Sequence, residues 1–307
     1  MRIGYFRRVT RLVRRCAFYL ALGALGAGLA GCGAPGTAGR GAASPAPSTP
    51  SAGAASPDGG ARVPPRPGNP QQQGRVPAAG GPAPVFSRAV PRPGTAAPKV
   101  VALTFDADMT ADQGPRAARG ERFDNPGLIE ALRALKVPST VFMTGRWAEE
   151  YPAQAKSIGT DTLFETGNHS YSHYAFTADC YGLPVVDRTR MLADVERARR
   201  AFERAGVRNT VPYFRFPGGC HDDAALRAVA PAGVTAVQWD VVSGDAFATD
   251  AGAVAEQVLA GVRPGSLVVM HCTRSAAPVT EEAVRRIVPA LRDRGYRFVK
   301  VSELMRG

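Results

Sequence analysis

The sequence contains four histidines, and two of them, His169 and His173, are four residues apart. This spacing places two imidazoles on one side of a helical turn, where they suit a divalent metal. On its own such a pair is as often a surface or core feature as a metal site. Two carboxylates, Asp106 and Asp108, follow an apolar run. One would serve as a general base and the other as an oxygen ligand, whereas without the histidines they would indicate a turn or a helix cap.

The elements that position these residues alternate from Lys99 onward between short apolar runs and amphipathic segments, which is typical of a parallel α/β arrangement. Strands are predicted at 100–105, 140–143, 213–216, 234–239, 267–270 and 297–301, and helices at 125–136, 187–204, after Asp222, at 251–262 and at 281–292. Six or seven strands are slightly too few for a full eightfold barrel. In parallel barrels the chemistry collects where strands end, and all four histidines lie in or beside such ends.

Five short motifs occur in order at these strand ends. They are Thr104–Asp108 (TFDAD), His169–His173 (HSYSH), Arg215–Gly219 (RFPGG), Trp239–Asp245 and Leu267–His271 (LVVMH). In this order they resemble the motifs of polysaccharide deacetylases, the NodB-homology group also called carbohydrate esterase family four. The resemblance covers residues 99–307 and implies a distorted (β/α) barrel with about seven parallel strands.

The resemblance also implies catalytic roles. Asp106 falls where the family keeps its general base, and Arg215 would keep this carboxylate ionised and aimed. His271 would be the general acid that protonates the leaving amine, with Asp245 as its orienting carboxylate.

A divalent metal, zinc in first place, is implied as the cofactor, with His169 and His173 as imidazole ligands. The backbone N–H of Gly218 matches the position that stabilises the oxyanion. Trp239 and Val269 are weaker candidates for walls of the acetyl pocket.

The first motif departs from the family pattern. The family has two adjacent aspartates here, whereas Ala107 takes the place of the ligand and Asp108 comes one residue later. A bulge at a strand end can absorb an extra residue, so we expect Asp108 to be the third ligand. If it does not reach, the site would have two histidines and water, or would recruit His221, which is otherwise a polar loop residue.

The third and fourth motifs depart from the pattern as well. Gly218 stands where an aromatic residue is common, and Ala246 and Phe247 follow Asp245 where an aromatic residue is expected directly. Both changes predict a reshaped substrate groove with the chemistry retained.

Three cysteines lie in this part of the chain, so they cannot all pair with one another. An exported domain permits disulfides, and placement in loops favours a bridge between Cys180 and Cys220. Cys272 adjoins His271, but neighbours along a strand point to opposite faces, which argues against a catalytic thiol.

The N-terminal part carries the excess positive charge. Residues 1–31 contain six arginines and no acidic residue, and 33–98 contain six arginines and one aspartate, which leaves the remainder nearly neutral. The basic balance therefore does not indicate nucleic acid. Residues 1–31 are predicted to be a signal peptide that ends in a lipobox-like Leu-Ala-Gly-Cys, with Cys32 as the lipidated residue; the alternatives are a chance cysteine or an uncleaved anchor.

Residues 32–98 are rich in Pro, Gly, Ala and Ser and are predicted to be a disordered tether. We therefore expect residues 99–307 to form a monomeric catalytic domain, exported and held on the extracytoplasmic side of a membrane by a lipid anchor. Its expected substrate is an acetylated glycan of the cell envelope, peptidoglycan or chitin-like. Two alternatives remain open: an O-acetyl esterase of the xylan type, and a glycan-binding lipoprotein whose active site has decayed.

Overall fold

The computed structural model describes residues 81–90 and 98–306. Nine strands in these residues form one sheet in which all pairings are parallel. They are β1 (Val85–Phe86), β2 (Val100–Ala107), β3 (Ser139–Met143), β4 (Phe164–Asn168), β5 (Thr210–Phe214), β6 (Thr235–Val237), β7 (Val241–Val242), β8 (Ser266–His271) and β9 (Arg297–Phe298). Their order is β1-β6-β5-β4-β3-β2-β8-β7, with β9 beside β2. This curved parallel sheet with helices confirms the distorted (β/α) barrel.

The α-helices of the described residues follow the strands. They are α1 (Gly114–Ala118), α2 (Pro126–Ala134), α3 (Gly145–Glu150), α4 (Pro152–Gly159), α5 (Met191–Ala205), α6 (Asp223–Val229), α7 (Ala251–Gly261), α8 (Thr280–Asp293) and α9 (Val301–Arg306). Side-chain caps define several starts: Asn125 accepts a hydrogen bond from the Leu128 N–H, and Asp222 accepts one from the Ala225 N–H. Within residues 81–90 and 98–306, none of these helices has the length and apolarity needed to cross a bilayer.

Strand β2 separates two environments. Val101, Leu103 and Phe105 belong to the large core between the sheet and the helices. The alternate residues face the interior of the barrel, where Thr104 is followed by Asp106 toward the strand's end. β2 therefore carries Asp106 on the interior side of the sheet, at the end where active sites of parallel barrels form.

Residues 81–90 belong to the fold, which corrects the predicted tether that runs to residue 98. β1 pairs with β6, and Phe86 is 2% exposed. Further along, the Ala89 N–H donates to the Gly265 carbonyl, just before β8. The segment thus reaches from the β6 edge of the sheet toward β8. It was missed because a two-residue strand that directly follows a proline has no periodicity. The predicted signal peptide, Cys32 and the rest of the tether lie outside the described residues.

The largest difference within the domain is β4, which the sequence did not predict. Its residues, FETGN, include no apolar run, yet all five are buried. Their polar groups are paired: Thr140 donates to Glu165 at 2.8 Å and Asn168 donates to the Val195 carbonyl at 3.0 Å. Satisfied hydrogen bonds thus replace the apolar pattern that predicts a buried strand.

The last predicted strand, 297–301, is also shorter than expected. It ends at Phe298, and the chain enters α9 at Val301. The Val301 N–H donates to Thr140 and the Ser302 N–H donates to Glu165, both at 3.0 Å. These interior side chains satisfy the first N–H groups of α9, which explains why a helix begins there.

Candidate active site

A buried ion pair lies at the centre of the strand ends. Arg215 directly follows β5, and its Nη1 donates to Asp106 Oδ1 at 2.7 Å; Arg215 is fully buried and Asp106 is 4% exposed. Burial lowers the pKa of Arg215 while Asp106 opposes this shift, and the guanidinium keeps its charge. The charge-assisted contact holds the Asp106 carboxylate in one orientation, as a general base requires.

Arg215 is itself held by the barrel interior. Its Nε donates to the Val237 carbonyl at 3.2 Å, and its guanidinium carbon lies 4.0 Å from the centre of the Phe142 ring. The Phe142 ring leaves no room for a side chain at Gly167, where a Cβ atom would lie 2.4 Å from it. Glycine in β4 therefore lets Phe142 lie flat beneath the guanidinium.

The two histidines of the second motif approach the two aspartates of the first. His169 Nε2 is 3.7 Å from Asp106 Oδ2, and His173 Nε2 is 3.4 Å from Asp108 Oδ2. The His169 Nδ1 lies 2.9 Å from the Arg215 carbonyl, which can only accept, so Nδ1 is the donor and Nε2 is the nitrogen that faces the aspartates. The structure therefore brings together all four side chains that the sequence singled out.

Ala107 explains the shifted aspartate. Its side chain is fully buried in the core between the sheet and the helices, as is that of Met109. Position 107 therefore lies on the helix side of the sheet, whereas Asp106 lies on the interior side. Asp108 instead meets His173, and its carboxylate accepts a hydrogen bond from the Thr273 hydroxyl.

The donor chemistry of this cluster fits a divalent metal. Burial lowers the pKa of His173 to about 4, so its imidazole is neutral at physiological pH. For Asp108, burial acts to raise the pKa, but His173, His271 and the Thr273 hydroxyl bring it below its ordinary value. Neutral imidazoles and an ionised carboxylate are what zinc-type sites use. In the described part of the chain, no three His, Cys, Asp or Glu side chains have the mutual placement of a formed metal site.

His271 ends β8 and forms a second pair with Asp245. Its Nδ1 lies 2.8 Å from Asp245 Oδ1, and its backbone N–H donates to Oδ2 at 2.7 Å. Burial alone would lower the pKa of His271, but Asp245, with smaller contributions from Asp108 and Asp106, raises it to about 10. A histidine that stays protonated at neutral pH suits a general acid.

Asp245 is held in turn by two hydroxyls. Ser243 donates to its Oδ1 at 2.9 Å, and Thr280, at the start of α8, donates to its Oδ2 at 2.7 Å. Burial acts to raise the pKa of Asp245, but His271 and Thr280 hold it below its ordinary value. The carboxylate is therefore ionised and fixed beneath the histidine.

The third motif forms a tight turn after Arg215. Gly218 and Gly219 have φ values of 66° and 75°, in the left-handed region that favours glycine. A Cβ atom on Gly219 would lie 2.4 Å from Cη2 of Trp239, and one on Gly218 would lie 2.6 Å from Cys180 Sγ. The turn is thus enclosed between Trp239 and the disulfide that joins Cys180 to Cys220.

The structure places three other residues named from the sequence. His221 stacks on Phe216, and its Nδ1 lies 2.7 Å from Gln238 Nε2, so its ring is engaged away from the Asp108 cluster. Val269 is the register partner of Thr104, two residues before the pair of Asp106 and His271, and therefore lies on the same interior face. Cys272 is a free thiol, fully buried in the helix-side core; burial raises its pKa to about 12.

Several site residues were not identified from the sequence. They are Phe142, Thr273, Ser243 and Thr280, which touch Arg215, Asp108 and Asp245. Ser243 lies inside the fourth motif and Thr273 lies two residues after His271, positions that would have indicated both. Phe142 and Thr280 have no comparable signal in the sequence. They lie in a strand and a helix far from the motifs along the chain, and only the folded structure places them against Arg215 and Asp245.

Comparisons with known proteins agree with the motifs. A family model described as polysaccharide deacetylase matches residues 94–237. A chitooligosaccharide deacetylase from Sinorhizobium fredii is 33% identical over 221 residues, which cover 69% of this chain and 94% of that protein. A peptidoglycan-N-acetylglucosamine deacetylase from Bacillus cereus is 28% identical over 211 residues, covering 68% and 89%.

Among solved structures, the fold is similar to that of a CE4 family pseudoenzyme from Bacillus anthracis. The TM-score is 0.57 at 25% sequence identity, and the match covers 72% of this chain and 68% of the other. The fold therefore occurs in proteins named as deacetylases and in one described as a pseudoenzyme.

Proposed function

The chain belongs to the polysaccharide deacetylase family, and from that premise we propose that it hydrolyses N-acetyl groups of an amino-sugar polymer of the cell envelope. Peptidoglycan and chitin-like glycans are the proposed substrate classes, in line with the relatives named above. The products are acetate and a free amine on the sugar.

The proposal rests on one observation: two pairs of oppositely charged side chains lie at the ends of the adjacent strands β2 and β8. Asp106 and His271 are register partners on β2 and β8, and each has its own buried partner, Arg215 and Asp245. The first pair holds the Asp106 carboxylate in one orientation as a base, and the second keeps the His271 imidazole protonated as an acid. Amide hydrolysis needs both, one for the attacking water and one for the departing nitrogen.

We propose that Asp108, His169 and His173 hold a divalent ion, zinc in first place. Such an ion supplies Lewis acidity to the acetyl carbonyl and to the attacking water. The Nε2 of His169, which faces the aspartates, the neutral His173 and the ionised Asp108 support this assignment.

The chain's own groups then move two protons. Asp106 takes a proton from water as the water oxygen bonds to the acetyl carbon. The N–H of Gly218 would donate to the oxygen that gains charge. His271 gives its proton to the sugar nitrogen as the C–N bond breaks, so acetate and amine leave. Trp239 and Val269 are proposed walls for the acetyl group.

We also propose that the protein is a lipoprotein anchored through Cys32 and faces the extracytoplasmic side, working as a monomer. The arginine-rich start, the apolar run and the Leu-Ala-Gly-Cys sequence support this placement. Metabolic labelling with a radioactive fatty acid tests it, because a Cys32→Ala variant would lose the label.

A decayed, glycan-binding protein is the second candidate, favoured by the similar pseudoenzyme fold and by Ala107 in the first motif. An O-acetyl esterase of the xylan type would use the same groups on an ester.

The deciding experiment measures acetate release by the purified protein from chitooligosaccharide, peptidoglycan and acetylated xylan, with chelator and after zinc addition. Zinc-restored release from the first two, abolished in Asp106→Asn, supports the N-deacetylase. Release from xylan alone supports the esterase. No release with retained glycan binding supports the decayed protein.

A further inference from the structure

The loop of the second motif, HSYSH, is bound on its carbonyl side by helix α3. The Gly145 N–H donates to the Ser170 carbonyl at 2.9 Å, and the Arg146 N–H donates to the Tyr171 carbonyl at 3.1 Å. Both N–H groups belong to the first turn of α3, where the helix itself offers no acceptor for them. The carbonyl side of the loop is therefore fixed by α3.

The N–H side of the same loop is bound by Asp194, which lies in the first turn of α5. A single carboxylate oxygen, Oδ2, accepts from the Tyr171 N–H at 2.8 Å and from the Ser172 N–H at 3.3 Å. Tyr171 is 5% exposed and Ser172 is 7% exposed. Without this oxygen, two buried residues would lose the acceptor of their N–H groups, which folded proteins avoid.

Asp194 binds the two residues that lie between two left-handed ones. Ser170 has a φ of 68° and His173 has a φ of 57°, in the region that residues other than glycine seldom adopt. Such conformations persist only where the surrounding structure imposes them. The hydrogen bonds that Asp194 accepts from Tyr171 and Ser172 supply this constraint from the middle of the loop.

The position of His173 depends on the path of the loop more than that of His169 does. The His169 N–H donates to the Met143 carbonyl at 2.8 Å, and its ring lies 2.9 Å from the Arg215 carbonyl, so neighbouring strand ends hold it. The His173 N–H donates to Ser170 Oγ at 3.0 Å, within the loop itself. A change in the path of the loop would therefore displace His173 and leave His169 in place.

We propose that Asp194 is a positioning residue that holds the His173 imidazole in place for a divalent ion. It acts through the backbone, because its oxygen binds the two N–H groups that precede His173 in the loop. The inference rests on the proposed metal site and adds to it a residue of α5 that lies outside the five motifs. Removing a group that orients a metal ligand typically weakens metal binding by about 10–100-fold.

Three variants separate the role of the acceptor oxygen from that of the charge. Asp194→Ala removes both, whereas Asp194→Asn removes only the charge, because one amide oxygen can replace Oδ2 in both hydrogen bonds. Glu196→Gln is the matched control, since it removes a charge from the same helix, where Glu196 binds Arg199. Competition titration against a chromogenic chelator gives each zinc dissociation constant. We expect Asp194→Ala to bind zinc about tenfold more weakly and the other two variants to resemble the parent protein.

Double variants test whether the effect acts through His173. Asp194→Ala is combined with His173→Ala and, separately, with His169→Ala. Beside His169→Ala we expect the loss of about tenfold to persist, whereas beside His173→Ala it should largely vanish, because the ligand that Asp194 positions is already absent. An equal loss in both backgrounds would mean a general structural effect and would overturn the assignment. An unchanged dissociation constant in Asp194→Ala alone would also overturn it.

Urea unfolding of the metal-free variants checks that each one folds. If Asp194→Ala does not fold, Asp194→Ser, which shortens the side chain by one atom, takes its place with the same expected loss of zinc affinity. Acetate release is measured separately. If the parent protein binds zinc and releases no acetate, the proposed hydrolysis fails, and the zinc titrations still decide the role of Asp194. If the parent protein binds no zinc, the proposed metal site and this role are both overturned.

Discussion

Asp106 on β2 and His271 on β8 are register partners in adjacent parallel strands, so their side chains leave the sheet on the same face. Each is bound to a different buried partner of opposite charge. The arrangement separates a stabilised carboxylate from a stabilised imidazolium, although both are fully or largely enclosed. Burial alone would favour the neutral imidazole of His271, and its pairing with Asp245 reverses this effect.

The pKa of His271 predicts a pH dependence. The pKa of His271 is raised from 6.5 to about 10. The contribution of this group to folding stability is therefore complete below the unfolded pKa of 6.5 and is lost as pH rises through about 10. In Asp245→Asn the main partner that raises this pKa is gone. We expect the basic limb of kcat/KM to move to lower pH by about one unit or more, measured from about pH 5 to about pH 11 so that the limb of the parent protein near pH 10 is included.

Asp250→Asn is the matched control for that experiment, because the Asp250 carboxylate caps α7 by accepting from the Gly252 and Ala253 N–H groups and neither bond involves His271. Its basic limb should coincide with that of the parent. Identical limbs in Asp245→Asn and Asp250→Asn would refute the role of Asp245.

The ion pair of Asp106 and Arg215 predicts strong thermodynamic coupling. Arg215→Met leaves the Asp106 carboxylate buried without its partner, so we expect the free energy of unfolding to fall by about 3–5 kcal/mol at pH 7. Adding Asp106→Asn should recover part of this loss, since the unpaired charge is removed. Urea unfolding of the single and double variants measures the coupling energy, and strictly additive effects would contradict it.

Thr273 predicts a metal-affinity effect that does not depend on turnover. Its hydroxyl binds the Asp108 carboxylate and accepts from the Asp108 N–H at 3.2 Å. Thr273→Val keeps the shape and removes both bonds, so zinc affinity should fall about tenfold or more. Thr273→Ser should retain most of it. Competition titration against a chromogenic chelator gives the dissociation constants, and equal values for both variants would exclude this role.

The N-terminal segment predicts a stability difference between two shortened proteins. One begins at residue 81 and the other at residue 99, and only the first contains β1 and the buried Phe86. We expect the shorter protein to have a lower thermal midpoint. Phe86→Ala in the longer protein should cost about 3–5 kcal/mol. Equal midpoints would mean that β1 contributes nothing to the folded domain.

The sequence predicted the parts of the fold that carry repeated apolar patterns. β2 and β8 were placed within two residues because both are apolar runs, and α2 was placed because Asn125 and Pro126 signal its start. β4 was missed because Glu165 and Asn168 are buried through hydrogen bonds from distant residues. Such partners become visible only after folding.

The candidate site, like the fold, could be predicted from the sequence only in part. The five motifs located the residues that the fold gathers, whereas their catalytic and metal-binding roles stay predictions. The position of Asp108, one residue later than in the family pattern, is explained by the burial of Ala107 in the helix-side core, which the sequence alone does not reveal.

The segment at 81–90 also bears on the order of folding. Arg88 donates to the Pro264 carbonyl, which lies 176 positions later in the chain. Residues 81–90 are therefore synthesised before the strands that they pack against. β1 has no partner until β6 is in place, and Ala89 has none until the turn before β8 has formed. Long-range pairings of this kind slow folding. We therefore expect residues 81–90 to pair with the edge of the sheet late in folding, after β2, β3 and β8 have assembled, although they are synthesised before those strands.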